Sequence, residues 1–217
     1  MGYATLEIDK KKLNEQHTYI FFKRLFDIIA SGVGLIVLSP LFLTIAVAIK
    51  IEDPKGPVFY SQERVGKNER KFRMYKFRSM VTNAEALLKD LQDKNEVTGA
   101  MFKLKNDPRI TKTGKFIRKY SLDELPQLIN VVLGSMSLVG PRPPLISEVE
   151  QYKAYDKQRL LVKPGCTGPW QIGGRNDVDF DEMVRLDLEY INNRSIFLDF
   201  EIILKTVVIM VKPNGAY

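Results

Sequence analysis

Two residue types that often carry chemistry are nearly missing from this chain of 217 residues, which has one cysteine, Cys166, and one histidine, His17. A single cysteine excludes an internal disulfide and argues against a thiolate metal cluster; Cys166 is expected to be an inert filler. His17 lies in a polar N-terminal segment. Ser-His-Asp catalysis and multi-histidine metal sites are therefore poor expectations, so an enzyme built from this sequence must work with carboxylates and cations. Acidic charge is also in deficit, with 26 Asp and Glu against 33 Lys and Arg and a formal charge of +7. That excess suits nucleic acid, anionic lipid or phosphorylated substrates, and charge alone does not choose among them. No repeat or low-complexity tract is present. The length suits one substantial domain with an attached membrane segment.

Charge is absent altogether from residues 28–49, "IIASGVGLIVLSPLFLTIAVAI". A run of about 20 apolar residues is the usual length for crossing a bilayer, and buried helices of soluble proteins rarely lack a polar face for so long. The long polar segment before it, with no small-residue cleavage site after it, argues against a signal peptide. Ser39-Pro40 interrupts the run at its midpoint, where proline removes a backbone donor and kinks or breaks a helix. Each half is about 11 residues, or roughly 16 Å, which reaches about the bilayer centre. Lys10, Lys11, Lys12, Lys23 and Arg24 precede the run, and Lys50, Lys55 and Arg64 follow it. Basic flanks favour the cytoplasmic side, and here both flanks are basic. A re-entrant helix–break–helix returning to the same face satisfies both facts, with the Ser39 hydroxyl serving backbone groups freed at the break. The expected layout is a polar segment (1–22), a re-entrant membrane helix (23–51) and a cytoplasmic-face body (52–217).

In the remainder, "PVFYSQERVG" reads as a strand and turn, and "KFRMYKFRSM" as a strand or short helix at a membrane or phosphate surface. Residues 82–95 read as an amphipathic helix with Thr82 as its cap. "LPQLINVVLGSMSLVG" fits a helix ending near Gly134. "GPRPP" is a stiff turn holding Arg142, and residues 163–177 form a glycine-rich loop with Trp170 and Arg175. Trp170 reads as a packing or interfacial residue. Residues 181–192 and 197–211 look helical, the latter apolar enough to lie on a membrane surface. Asp27 fits a helix-face pair with Lys23 one turn earlier.

In "RKYSLDELPQLIN", Ser121 to Glu124 match a capping box. Acidic residues there complement the helix dipole, and this local reading leaves the carboxylates without a chemical task.

Taken in order, "KRLFDI", "LSPLFL", "GPVFYSQERVG", "YKFRSM", "DPRITKTGKFIRKYSLDELPQL", "GSMSLVGPRP", "KPGCTGPWQIGGRND" and "LDLEYI" resemble the monotopic phosphoglycosyl transferases, the bacterial sugar transferase family. The resemblance runs from about Lys23 to the C-terminus. It implies a mostly α, α/β monotopic membrane protein with a re-entrant helix broken at Ser39-Pro40. A small cytoplasmic catalytic body with amphipathic interfacial helices would complete it. It implies transfer of sugar-1-phosphate from a UDP-sugar to undecaprenyl phosphate, with galactose or glucose favoured, at the cytoplasmic face of a bacterial inner membrane. Asp123 would be the nucleophile, kept ionised by the helix N-terminus, and Glu124 would help hold Mg²⁺. Arg142 would hold phosphate or nucleotide oxygens, Arg118 is a further candidate near the dyad, and Arg175 joins the substrate-binding set. Arg64 and Arg78 either engage phosphate or stabilise the fold. Membrane lipid is an expected partner, nucleic acid is not, and a homodimer is compatible with this reading. The chain begins too near the re-entrant segment to include the multi-span domain of larger members. The competing reading is a membrane-surface protein whose basic face recruits anionic lipid or nucleic acid without catalysis.

Overall fold

The computed structural model describes residues 7–89, 91, 104, 107–173 and 179–211. Helix α1 (Lys10–Glu15) starts at Asp9, whose carboxylate accepts the amides of Lys11 and Lys12. The apolar run lies in α2 (His17–Val37) and α3 (Ser39–Glu52), which meet at a bend of 58°. Pro40 stands in the first turn of α3, where its missing N–H costs nothing. The Ser39 hydroxyl donates to the Ile36 carbonyl at 2.8 Å, as expected at such a break. No single described helix is long and apolar enough to cross a membrane; the bent pair reaches that length and composition together.

Strands β1 (Phe59–Val65) and β2 (Lys71–Phe77) form an antiparallel hairpin with Phe59 opposite Phe77. Helix α4 is Ala84–Lys89, so it begins two residues beyond Thr82; the rest of the expected 82–95 helix falls largely outside the described residues. Helix α5 (Lys112–Lys119) is capped by Thr111, whose hydroxyl accepts the Gly114 amide at 2.9 Å. Gly114 is required there: an added Cβ would lie 1.9 Å from the Ser79 carbonyl oxygen. Helix α6 (Gln127–Leu133) ends at Gly134, whose φ of 89° is left-handed.

Strand β3 (Ser137–Val139) pairs in parallel with β4 (Gly165–Thr167), through a crossover that includes α7 (Ile146–Val149) and α8 (Ala154–Lys157). The expected glycine-rich loop therefore holds a strand and a helix, α9 (Pro169–Gly173); Arg175 lies outside the described residues. Helices α10 (Phe180–Asn193) and α11 (Ile196–Val211) close the fold. The molecule is mostly helical with two small sheets, as the sequence suggested.

Three apolar clusters hold the body together. Val184, Leu188 and Ile191 of α10 pack with Val139, Val162 and Ile202. Phe77 and Ile117 pack against Ile45 and Ile49 of α3, while Met74, Val131 and Met136 bury α6 on β2.

Helix α2 docks through its polar residues, and here the expected Lys23–Asp27 pair is replaced. Lys23 donates instead to Asp199 of α11 at 2.8 Å, and Asp27, buried, accepts the Leu138 amide at 3.0 Å. Arg24 donates to the Val131 and Val132 carbonyls at 2.6 and 2.9 Å, completing the C-terminus of α6. These long-range partners win because each satisfies a group that folding removes from water, whereas an exposed pair one turn apart is worth only about 0.2–0.5 kcal/mol.

Both ends of the bent pair attach to one body. Upstream, Ile8 and Leu13 are buried in the α10–α11 cluster, and Arg194 donates to the Leu13 carbonyl and to Gln16. Downstream, Asp53 pairs with Arg78 at 2.6 Å, and Glu52 accepts the Lys112 and Thr113 amides at the start of α5. Apolar side chains remain exposed along α2 (Phe21, Phe22, Leu25, Ile29, Val33, Ile36) and α11 (Phe197, Phe200, Leu204, Val208, Val211). Phe26 and Phe200 join these helices, with ring centroids 4.7 Å apart. A contiguous apolar surface of this kind marks an interaction face rather than ordinary solvent exposure.

Candidate active site

Asp123 and Glu124 sit in a 3-10 turn, Leu122–Glu124, between α5 and α6. The expected capping box is not formed. Ser121 adopts a left-handed backbone with φ 54° and ψ 24°, and its side chain makes no cap bond. The chain reverses sharply at this non-glycine residue, a conformation that stores strain and is enriched at functional sites. Regular helix begins only at Gln127, so the dyad precedes α6 instead of lying in its first turn.

The electrostatic expectation changes accordingly. Asp123 is buried, 8% exposed, and its carboxyl is raised to about 6. Burial is the largest cause; Glu124 adds like-charge repulsion, while Lys76 and Arg118 oppose the rise. A helix dipole acts over the first turn, and the nearest regular turn starts beyond Pro126. Desolvation therefore outweighs it.

Lys76 lies on β2, on the face it shares with Phe72 and Met74, and donates to Glu124 at 2.6 Å. Asn130 fixes α6 against the same strand. Its amide nitrogen donates to the Arg73 carbonyl at 2.7 Å, and its oxygen accepts the Tyr75 amide at 2.9 Å. One side chain thus substitutes for a neighbouring strand at the edge of β2 and fixes α6 against the strand that carries Lys76. Lys76 escaped notice in the sequence because it is one of several cations in an alternating block; only the period-2 sharing of a face with Met74 could have singled it out.

The expected arginines divide into groups. Arg118, in the last turn of α5, acts on Asp123. Arg64 is buried and donates to the Pro143 carbonyl and to Gln62. Burial and the neighbouring Arg142 lower it to about 10, opposed by Glu148 and Glu124. Arg142 itself meets Glu148 at 3.3 Å. Arg64 and the "GPRPP" turn therefore approach the Glu124 side of the dyad, held by the Val65 amide on the Pro144 carbonyl. Arg78, paired with Asp53, ties β2 to the end of α3. Cys166 is packed beside the Met74–Val131–Met136 cluster, and burial pushes its thiol up, which makes it unreactive.

A bent apolar helix pair docked on a small α/β body, with a carboxylate dyad set among cations, defines the class of protein in outline. The family model of the bacterial sugar transferases matches residues 18–213, and the chain belongs to that family. It is 49% identical over 216 residues to the galactosyl transferase CpsE of Streptococcus agalactiae, covering 99% of this chain and 47% of that protein. It is 48% identical over 201 residues to the undecaprenyl-phosphate galactose phosphotransferase of Salmonella typhimurium, covering 91% and 42%. The exopolysaccharide production protein ExoY of Rhizobium meliloti is 43% identical over 199 residues, covering 90% and 88%. The chain thus spans less than half of the first two relatives and most of the third.

Proposed function

We propose that this chain transfers a sugar-1-phosphate, galactose-1-phosphate first and glucose-1-phosphate second, from a UDP-sugar to undecaprenyl phosphate and releases UMP. The observation that carries the reading is the buried Asp123 beside Glu124, Lys76 and Arg118. Names of two relatives specify galactose, and one specifies undecaprenyl phosphate.

In the first step an ionised Asp123 oxygen attacks the β-phosphorus of the donor, and the bond from that phosphorus to the bridging oxygen breaks. UMP departs with the bridging oxygen, leaving an aspartyl-phosphosugar. In the second step a phosphate oxygen of undecaprenyl phosphate attacks the same phosphorus. The aspartyl oxygen leaves, and Asp123 is restored. Burial favours this role by removing water from the carboxylate, while Lys76 and Arg118 keep it ionisable near neutral pH.

One or two carboxylates completed by substrate phosphates and water make a Mg²⁺ donor set, and the dyad supplies that much. Among the described residues no group of three His, Cys, Asp or Glu offers an all-protein cage. Glu124 would hold Mg²⁺, which would supply neutralisation of the diphosphate charge. Lys76, Arg118, Arg64 and Arg142 supply fixed positive charge on the protein side. The apolar faces of α2 and α11 seat the body on the cytoplasmic face of the membrane, bringing the dyad to the depth of a lipid-borne phosphate.

The test uses UDP-galactose labelled in its β-phosphate. Wild type should release UMP and retain label on the protein, and Asp123→Asn should do neither. Turnover of that variant near the wild-type rate would remove Asp123 from the nucleophile's role.

A further inference from the structure

At the far end of α6 from the dyad lies an open cleft of about 100 Å³ between α2, β3 and α10. Lys23, Arg24, Lys67, Lys163 and Arg194 contribute to its wall, and Asp27 is the one carboxylate among the lining residues. Helix α6, seven residues or about 10 Å long at 1.5 Å per residue, lies between the dyad and this cleft.

The partners of these cations leave the cleft positive. Lys23 is neutralised by Asp199. Arg24 donates to backbone carbonyls, and Arg194 to Gln16 and the Leu13 carbonyl, so neither guanidinium meets a charge through those bonds. Asp27 accepts the Leu138 amide and is the one negative charge in the lining that opposes these cations. Among the described residues neither Lys67 nor Lys163 pairs with a carboxylate. Two cations converge on one point: a Cβ built on Gly134 would lie 3.2 Å from Arg24 Nη2 and 3.6 Å from Lys163 Nζ. Lys163 is lowered from its ordinary value by burial first and by Arg24 next. In the same wall, the Ser137 hydroxyl is buried without a hydrogen-bond partner. Crowded cations and an orphan hydroxyl are the complement of a bound anion.

The surroundings narrow the anion. Ile20 lines the cleft and is 41% exposed, while the exposed Phe21 and Phe22 project from the opposite side of α2. A phosphate carried on an apolar chain would meet the cations with its head and Ile20 with the start of its chain.

We propose that this cleft is a second phosphate site, separate from the dyad, which takes the headgroup of an anionic membrane phospholipid. The inference does not rest on the transferase reading. Lipid and free phosphate share the chemistry, so the experiment separates them. Amine acylation of Lys163 in the full-length chain is followed by mass spectrometry in three settings: phosphatidylcholine vesicles, the same vesicles with phosphatidylglycerol, and neutral detergent with inorganic phosphate. Phosphatidylglycerol should slow acylation of Lys163 roughly fivefold to tenfold. The exposed Lys115 of α5 should be much less affected, and Lys67→Gln should remove most of the protection. The Asp123→Asn variant should be protected like wild type, which distinguishes failure here from failure of the catalytic reading. Equal slowing at Lys115 would reduce the effect to diffuse surface charge, and absence of protection would overturn the site. Equal protection by inorganic phosphate without lipid would overturn the lipid assignment.

Discussion

At the scale of single residues, Asp123 is governed by two opposing demands. A nucleophilic carboxylate needs its charge, and burial resists that charge. The balance, about 6, keeps the charged form available at neutral pH. Because the active form is the deprotonated one, label transfer onto the protein should fall as pH drops through 6, approaching tenfold per pH unit below it. Lys76 is the strongest group opposing the rise, so Lys76→Gln should move the midpoint of this profile to higher pH and cut the rate at pH 7 several-fold. The measurement is a single-turnover pH profile on both proteins. A midpoint that stays in place would mean that Lys76 does not act on Asp123. The Lys76–Glu124 contact is half exposed and adds little stability by itself; its weight lies in the site.

At the scale of elements, α2 is joined to the body by polar contacts at Lys23, Arg24 and Asp27 as well as by apolar packing. An apolar helix face alone could slide or rotate at small cost, whereas these contacts fix one register. Asp27 is the sharpest of the three, because its carboxylate accepts the amide of Leu138, the middle residue of β3, beside the helix α6 that follows the dyad. Asp27→Ala leaves that amide without its acceptor and should lower stability by ~1–3 kcal/mol, read as a drop in Tm in one fixed detergent. Asp27→Asn keeps an acceptor oxygen and should cost less. Equal and negligible effects would show that apolar contacts alone hold α2.

For the whole molecule, the attachment of both ends of the bent pair to one body carries a topological consequence. Ile8 and Leu13 before the pair and Asp53 after it all pack on that body. A straight crossing would have to tear one end away, exposing buried apolar surface and unpairing Asp53 from Arg78. Cysteines introduced near Lys12 and near Lys55, in a Cys166→Ser background, should therefore both be labelled from the same side, the cytoplasmic one under the proposed function, and shielded from the other. Labelling from opposite sides would sink the re-entrant arrangement. The pair also does not project freely along its length, since Ile45 and Ile49 are buried against Phe77 and Ile117. Under the proposed re-entrant arrangement, the exposed tip around Ile36, Val37 and Leu43 would enter the apolar phase most deeply.

Local rules were enough to read strand β1 and the turn after it, the stop of α6 near Gly134, the break at Ser39-Pro40 and the ordered blocks that carry the family. Each of these depends on dihedral preference, periodicity or residue order within a short span, all of which are written in the sequence. The partners of Lys23, Arg24 and Asp27 were not legible there, because their acceptors and donors lie more than a hundred positions away along the chain. The same holds for the site: four residues spelled a capping box, and only the left-handed turn at Ser121 unmade it. Whether Asp123 would be helped by a helix end or hindered by burial depended on how α5, α6 and β2 close around it. Water is removed from a side chain by the assembled body and not by its neighbours in sequence. The tertiary structure therefore decided the acidity of Asp123, the place of Lys76 and the gathering of cations behind α6.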